Sequence, residues 1–419
     1  MSDTVPKPGK RPDGSLLATT RTYRFLTPVF GGGVEPQEHD PITPVRVPSI
    51  RGQLRFWWRA VNPRRLQTIE ELREAEAEIF GDTKHRSPLS IAVVKQPRKP
   101  TELKVFEGEK FRPRSGFESI AYGAFPLRPD KGSDDPPGVL WDYGDAEFSL
   151  RLRLPKSVED DVAAALWGWE TFGGLGARTR RGFGAIACTG HGDDTRTGDD
   201  TRTGDVPKLS VPASLEEGLE RWPPERDVRW PHLVRANVGG TFPDGHKALS
   251  ALLRVLKEMR QGIGLGRRKG KERREGRSYW PEPDALRRLL GSSAPRHKTP
   301  LTDANAFPRA AFGLPIVFHF KDRGDPSATL HAAVDGERAD RWASPLVLRP
   351  YRQPDGTICA LAAELAPRPT EAFVDKRRVR DPVPVALTPA EAKHMPKPKR
   401  APDDSMFLDP IDAFFKRLP

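Results

Sequence analysis

Two cysteines in 419 residues, Cys188 and Cys359, leave no disulfide framework and no Cys-x-x-Cys metal knuckle; they read as small buried hydrophobes. Nine histidines are scattered without an H-E-x-x-H pair, so no structural metal is expected. No apolar run reaches the length of a membrane span, and the opening residues, MSDTVPKPGKRPDGS, lack the apolar centre of a secretory signal. A cytoplasmic location with no membrane partner is therefore expected. Apolar residues make up only 36% of the chain, enough for modest cores, while 37 Gly and 44 Pro impose many turns. Acids are in short supply too: 57 against 69 Lys and Arg leaves a net charge of +12, which favours a polyanionic partner.

The stretch TFGGLGARTRRGFG, residues 171 to 184, concentrates this imbalance, with five glycines, three arginines and no acid. Glycine allows positive φ and close backbone approach, successive N–H groups can form an anion-binding concavity, and arginine forks fit phosphate oxygens. The Gly-Lys-Ser/Thr end of a P-loop is missing, and Thr179 stands where a dinucleotide fingerprint needs its third glycine. No nucleotide cofactor is expected. Two readings stay open: a phosphate-holding loop, or a Gly-rich turn before a strand with solvated arginines.

PSIRGQLRFWWRAV (48 to 61) reads as a helix with Pro48 in its first turn. Ile50, Leu54, Trp57 and Val61 share one face, and Arg51, Arg55 and Arg59 form a neighbouring stripe. Like charges at i, i+4 repel, so this stripe needs an anion, either a nucleic acid or acids from elsewhere in the fold. Phe56 and Trp58 lie off the apolar stripe, with core packing favoured over base stacking. Residues 254 to 277 carry ten Lys and Arg against three Glu, including Arg267, Arg268 and Lys269. That block is either a second RNA contact, a surface for a neighbouring subunit, or a solvated loop.

The remaining pattern sets out α+β architecture. Residues 1 to 15 read as disordered. Strands are expected at 19–30, 87–95, 146–155 and 182–189, with short ones near 102–106 and 118–125. Helices are expected at 68–81 and at 157–172, the latter with Ser157 as N-cap. The order through residues 16–190 is that of a ferredoxin-like, RRM-type domain. The hexamer DDTRTG, repeated at 193–198 and 199–204, lies in a low-complexity linker, 191–226. Residues 227–374 read as a divergent second copy: a strand at 227–242, helices at 245–264 and 282–291, an apolar strand at 310–320 and a hairpin over 344–366 around Pro354-Asp355-Gly356. A Pro-rich basic extension, 375–419, ends the chain with a short helix.

FLTPVFGGG, PSIRGQLRFWWRA, GGLGARTRRGFG, and FGLPIVFHF with ASPLVLRP resemble the RAMP family. Together they are similar to the first Cmr subunit of type III-B CRISPR–Cas effector complexes. The likeness reaches from about residue 25 to residue 350. It implies tandem ferredoxin-like folds carrying a Gly-rich loop, in a non-catalytic RNA-binding subunit. Such a subunit sits near the 3′ end of the CRISPR RNA beside other Cmr RAMP subunits and helps capture target RNA in antiviral defence. By the same resemblance Gly173, Gly174, Gly176, Gly182 and Gly184 form the loop. Arg178, Arg180 and Arg181 touch RNA phosphates, and Arg51, Arg55 and Arg59 extend the track. Two alternatives remain: a RAMP endoribonuclease using His39 and Asp40 in the loop after the first strand, and a free-standing basic RNA-binding protein.

Overall fold

The computed structural model describes residues 16–33, 38–108, 110–129, 135–193, 209–224, 228–262, 278–320, 322–376, 381–395 and 405–419. The N-terminal segment 1–15, the DDTRTG repeat from residue 194 onward, and Arg267, Arg268 and Lys269 lie outside the described residues.

The first unit runs β1 (Leu16–Phe25), α1 (Val47–Val61), α2 (Ile69–Phe80), β2 (Ser90–Lys95), β3 (Glu147–Pro155), α3 (Glu159–Phe172) and β4 (Ile186–Asp193). Its sheet order is β2-β3-β1-β4, antiparallel throughout, which is the ferredoxin-like arrangement. α1 buries Ile50, Leu54, Trp57 and Val61 as its periodicity requires, and Trp58 as well. The Trp58 indole donates to Asp161 Oδ1 at 3.0 Å, so its polar edge is satisfied inside the core. The helix predicted from Ser157 starts later: Lys156–Val158 forms a 3-10 turn, and Val158 precedes α3 without a side-chain cap. The strand expected at 118–125 is instead a short helix, Glu118–Gly123.

The second unit repeats the order β-α-β-β with β5 (His232–Phe242), α4 (Gly245–Gln261), β6 (Leu346–Arg352) and β7 (Ile358–Ala366), paired β6-β7-β5. Between α4 and β6 the chain adds a helix, Glu282–Leu290, and strands of a separate small sheet. The apolar strand expected at 310–320 is broken into a 3-10 turn, Pro308–Phe312, and a three-residue strand, Ile316–Phe318. On β6, Leu346 and Leu348 join one hydrophobic cluster, and Val347 and Tyr351 join the other. β7 splits likewise, with Ala360 and Ala362 on one side and Leu361, Ala363 and Leu365 on the other. Both faces of this hairpin are buried, which is why its sequence runs apolar without alternation.

Arg349 stands in that hairpin with no exposed surface. Its Nη1 donates to Gly173 O at 2.9 Å and Trp169 O at 3.3 Å, its Nε to Pro350 O at 3.1 Å, and its Nη2 to Ile186 O. A guanidinium from the second unit thus sits on the C-terminal carbonyls of α3, where the helix dipole favours a cation. Burial pulls its pKa down to about 9, opposed by Tyr351 and Glu170. Glu170 is itself held by Arg21 (2.8 Å twice) and by the Tyr23 hydroxyl at 2.7 Å.

The arginine stripe of α1 also finds partners inside the chain. Arg59 bonds both oxygens of Glu76 on α2 at 2.8 and 2.7 Å, and Arg55 Nε bonds Glu76 Oε1. Arg51 donates to Phe80 O at 3.1 Å and Leu89 O at 3.3 Å. The anion that the stripe requires is a buried carboxylate, supplied by the neighbouring helix.

Two substitutions test these joints. Arg349→Met strands carbonyls of both units without a donor and is expected to lower unfolding free energy by roughly 3 kcal/mol, at about 1–3 kcal/mol per orphaned group; chemical denaturation reads this, and an unchanged midpoint would contradict it. Glu76→Gln removes the charge between Arg55 and Arg59, which are about one-third exposed, and is expected to cost about 1–2 kcal/mol in the same assay.

Candidate nucleic-acid interface

The Gly-rich segment begins at the end of α3 and is pinned against the residues that follow β1. Leu175 N–H donates to Gly184 O at 2.9 Å, Ala177 N–H to Phe30 O at 2.8 Å, and Gly184 N–H to Pro28 O at 2.8 Å. The buried Thr27 hydroxyl donates to Gly182 O at 2.7 Å and accepts from Ala185 N–H at 2.9 Å. Two glycines make this closure sterically possible. Gly184 has φ +62°, and a Cβ there would stand 1.9 Å from Leu175 O; Gly176 has φ +80°, with Val29 Cγ1 2.7 Å from the same position.

The glycines therefore do not form the phosphate-binding concavity that the sequence suggested. Gly173, Gly174, Gly182 and Gly184 are buried, and the N–H groups of Gly173, Gly182 and Gly184 already donate to Trp169 O, Thr179 O and Pro28 O. Glycine serves here to bring backbone against backbone. Only Gly176 of the five is partly exposed.

What the closure presents is a short turn of arginine. Arg178 is left-handed (φ 58°), an uncommon conformation for a side-chain-bearing residue, and it opens the 3-10 turn Thr179–Arg181. Arg178 spends one N–H on Gly123 O at 2.7 Å, and its guanidinium lies 5.8 Å from the Phe30 ring centroid. Arg180 spends one on Ser344 O at 2.7 Å and lies 5.3 Å from the Phe56 ring. Arg181 Nη1 is buried without a partner.

Charge around this turn is of one sign. Burial lowers the pKa of all three arginines, and like charges lower it further: Arg341 and Arg260 act on Arg178, Arg341 acts on Arg180, and Arg260 acts on Arg181 together with Arg178 and Arg180. Arg181 is drawn down to about 9. The groups nonetheless remain cationic at neutral pH. None of these five arginines pairs with a carboxylate of the described residues. Arg260 comes from the last turn of α4 and Arg341 from the segment before β6, so the second unit supplies two of the five.

The arginine stripe predicted to extend the track is engaged within the chain. Arg51, Arg55 and Arg59 are committed to Phe80, Leu89 and Glu76, so they do not extend the positive surface as free forks. What α1 contributes to this site is Phe56, under Arg180. Arg260 belonged to a basic block already visible in sequence, but nothing in the sequence ties it or Arg341 to the loop.

The residues weighed for catalysis are otherwise engaged. Asp40 Oδ1 accepts from Ile42 and Thr43 N–H at 2.9 and 2.8 Å, and Oδ2 from the Thr43 hydroxyl at 2.7 Å. These bonds hold its carboxyl at about 2, far too acidic for a general base near neutrality. His39 stacks on Trp141, centroids 4.2 Å apart, and burial lowers its pKa. One histidine–carboxylate group, His297 with Asp322 and Asp325, has ligand-like spacing among the described residues. Arg287 already bonds Asp325 twice, at 3.0 and 2.8 Å, and His297 at 2.7 Å, so a cation's place there is taken by a guanidinium. No helix among the described residues is long and apolar enough to cross a membrane.

Comparison with known proteins finds partial similarities. The RAMP superfamily model matches residues 22–187. The CRISPR system Cmr subunit Cmr1-1 of Pyrococcus furiosus is 30% identical over 146 residues, 34% of this chain and 40% of that protein, so the chain spans about two-fifths of the length of this curated relative. Among solved structures, apo Cmr1 from Pyrococcus furiosus aligns over 96% of this chain and 97% of its own, with a TM-score of 0.46 and 16% identity. A chain of a type III-B Cmr-β complex bound to cognate target RNA aligns over 84% of this chain and 94% of its own, with a TM-score of 0.44 and 14% identity. The α1 helix, β2, β3, α3 and the arginine turn fall within the matched segment, while β1 begins before it and β4 runs beyond it; over residues 22–187 the chain is similar to the RAMP superfamily.

Proposed function

We propose that the chain is an RNA-binding subunit of a type III-B CRISPR Cmr effector complex. It holds the phosphates of single-stranded RNA on Arg178, Arg180 and Arg181, with Arg260 and Arg341 completing the surface. The observation that carries this reading is the unbalanced cluster itself. Elsewhere in the chain crowded arginines are given a carboxylate, as at Glu76 for Arg55 and Arg59, Asp161 for Arg64, and Glu170 for Arg21. At the junction of the two units five guanidinium groups gather with no carboxylate partner among the described residues. A bound polyanion relieves both the mutual repulsion and the desolvation. The partial match to a Cmr1 subunit supports the setting in a Cmr complex; in this reading the chain holds a CRISPR RNA toward its 3′ part, helps capture a target RNA and has other Cmr RAMP subunits as neighbours. Arg267, Arg268 and Lys269, a few residues beyond Arg260 in sequence, add phosphate contacts in this reading. Binding rather than cutting is the role that the engaged carboxylate of Asp40 supports.

The test is the salt dependence of binding to a single-stranded RNA. The five arginines alone give a slope of log K against log salt of roughly −3.5, at about −0.7 per contact, and contacts from Arg267, Arg268 and Lys269 steepen it. Replacing Arg178, Arg180 and Arg181 together by alanine is expected to flatten the slope by about 2 and to weaken all sequences alike. An unchanged slope would remove the turn from the RNA track. Co-purification with the neighbouring subunits and sequencing of the bound RNA separates a complex subunit from a free-standing binder.

A further inference from the structure

A cavity of about 320 Å³ opens directly beside the arginine turn. Gly174 to Ala177, the residues that immediately precede Arg178, and Gly31 to Gly33, which pack directly against them, line it together. Ser49 and Gln53, one turn apart on α1, line it too, and neither side chain has a hydrogen-bond partner among the described residues. His39 lines the cavity as well, with its Nε2 buried and unpartnered and its ring already stacked on Trp141. On the remaining side Phe25 and Tyr143, stacked at 4.3 Å, close the wall.

The electrostatics of this space differ from those of its neighbour. Its two charged residues are of opposite sign and both are engaged. Arg46 bonds the carbonyls of Gly32 and Gly33 at 2.6 and 3.2 Å, and Asp40 holds its own turn. The standing aspartate charge disfavours a phosphate. The volume lies at the small end of ligand sites, about 300–1,000 Å³, and suits a single ring system rather than a whole nucleotide chain. Unpaired amide, hydroxyl and imidazole groups on an aromatic- and glycine-walled site are the groups that read a base edge while a ring face is stacked.

We propose that this cavity takes one unstacked nucleobase of the RNA strand whose phosphates lie on Arg178, Arg180 and Arg181. Ser49, Gln53 and His39 bond its edge, and the glycine-lined wall lies against its plane. The proposal rests on the RNA-binding reading above but makes a separate demand: the site should recognise a base with no phosphate attached. A strand crossing the turn would then be anchored twice, by charge along its backbone and by one base turned inward, which fixes its position as charge alone does not.

The experiment uses the full chain and two probes, 2-aminopurine riboside and a nonamer of uridines. The riboside is expected to bind with its fluorescence changed by stacking, and ribose alone is expected not to compete. Ser49→Trp, which fills the cavity from its rim, and Gln53→Ala are each expected to weaken riboside binding at least tenfold. In both variants the salt slope for the nonamer is expected to stay that of the unaltered chain. The Arg178, Arg180 and Arg181 triple alanine variant should do the reverse, flattening the slope and sparing the riboside. Absence of riboside binding, equal competition by ribose, or full binding by both cavity variants would overturn the base pocket. An unchanged slope in the arginine variant would instead overturn the phosphate track.

Discussion

One buried guanidinium fixes the geometry on which the rest depends. Arg349 reaches from the second unit into the first and ties together the end of α3, the start of the Gly-rich segment and the start of β4. Carbonyls at a helix C-terminus carry partial negative charge, so the cation is tolerated without a carboxylate. The adjoining contacts run along the same seam: Arg180 bonds Ser344 O, and Gly182 packs against the backbone of Leu348 and Arg349. The arginine turn is thus a rigid joint between two sheets, held by its own backbone and by the strand across from it.

Charge in this chain sorts into two kinds by partner rather than by density. The arginines of α1 stand four residues apart in a stretch without acids, and by sequence alone they are the stronger candidates for a polyanion. Glu76, on the next helix, takes two of them. The turn at 178–181 carries as many arginines in a shorter stretch, and its neighbours in space are two more. A linear count of charge cannot tell these cases apart, because the deciding groups lie on other elements, 17 to 21 residues away for Glu76 and across the unit boundary for Arg260 and Arg341.

The elements themselves were legible where a periodic pattern met a stop signal. α1, α2, β3, α4 and the β6–β7 hairpin fall within a few residues of their predicted spans, since helical spacing, strict alternation or a Pro-Asp-Gly turn marks each. Reading failed where the signal was short or apolar without period. Residues 118–123 are helical rather than extended, because Ile120 and Ala121 pack toward α4. Pro308 and Pro315 break the apolar run at 310–320. Ser157 yields its capping place to a 3-10 turn. The glycines read in sequence as a phosphate-holding loop; in the structure they admit close packing of backbones, and the side chains between them carry the charge.

The left-handed Arg178 and the two-unit origin of the cluster have a mechanical corollary. Three of the five cations ride on the first sheet's loop, and two ride on the second unit. A nucleic-acid strand laid over all five would bridge the seam like a splint, so occupancy would stiffen the chain against hinge motion as well as neutralise it. The same coupling runs backward: any neighbour that prised the units apart would pull the cation surface in two and loosen its hold on the strand.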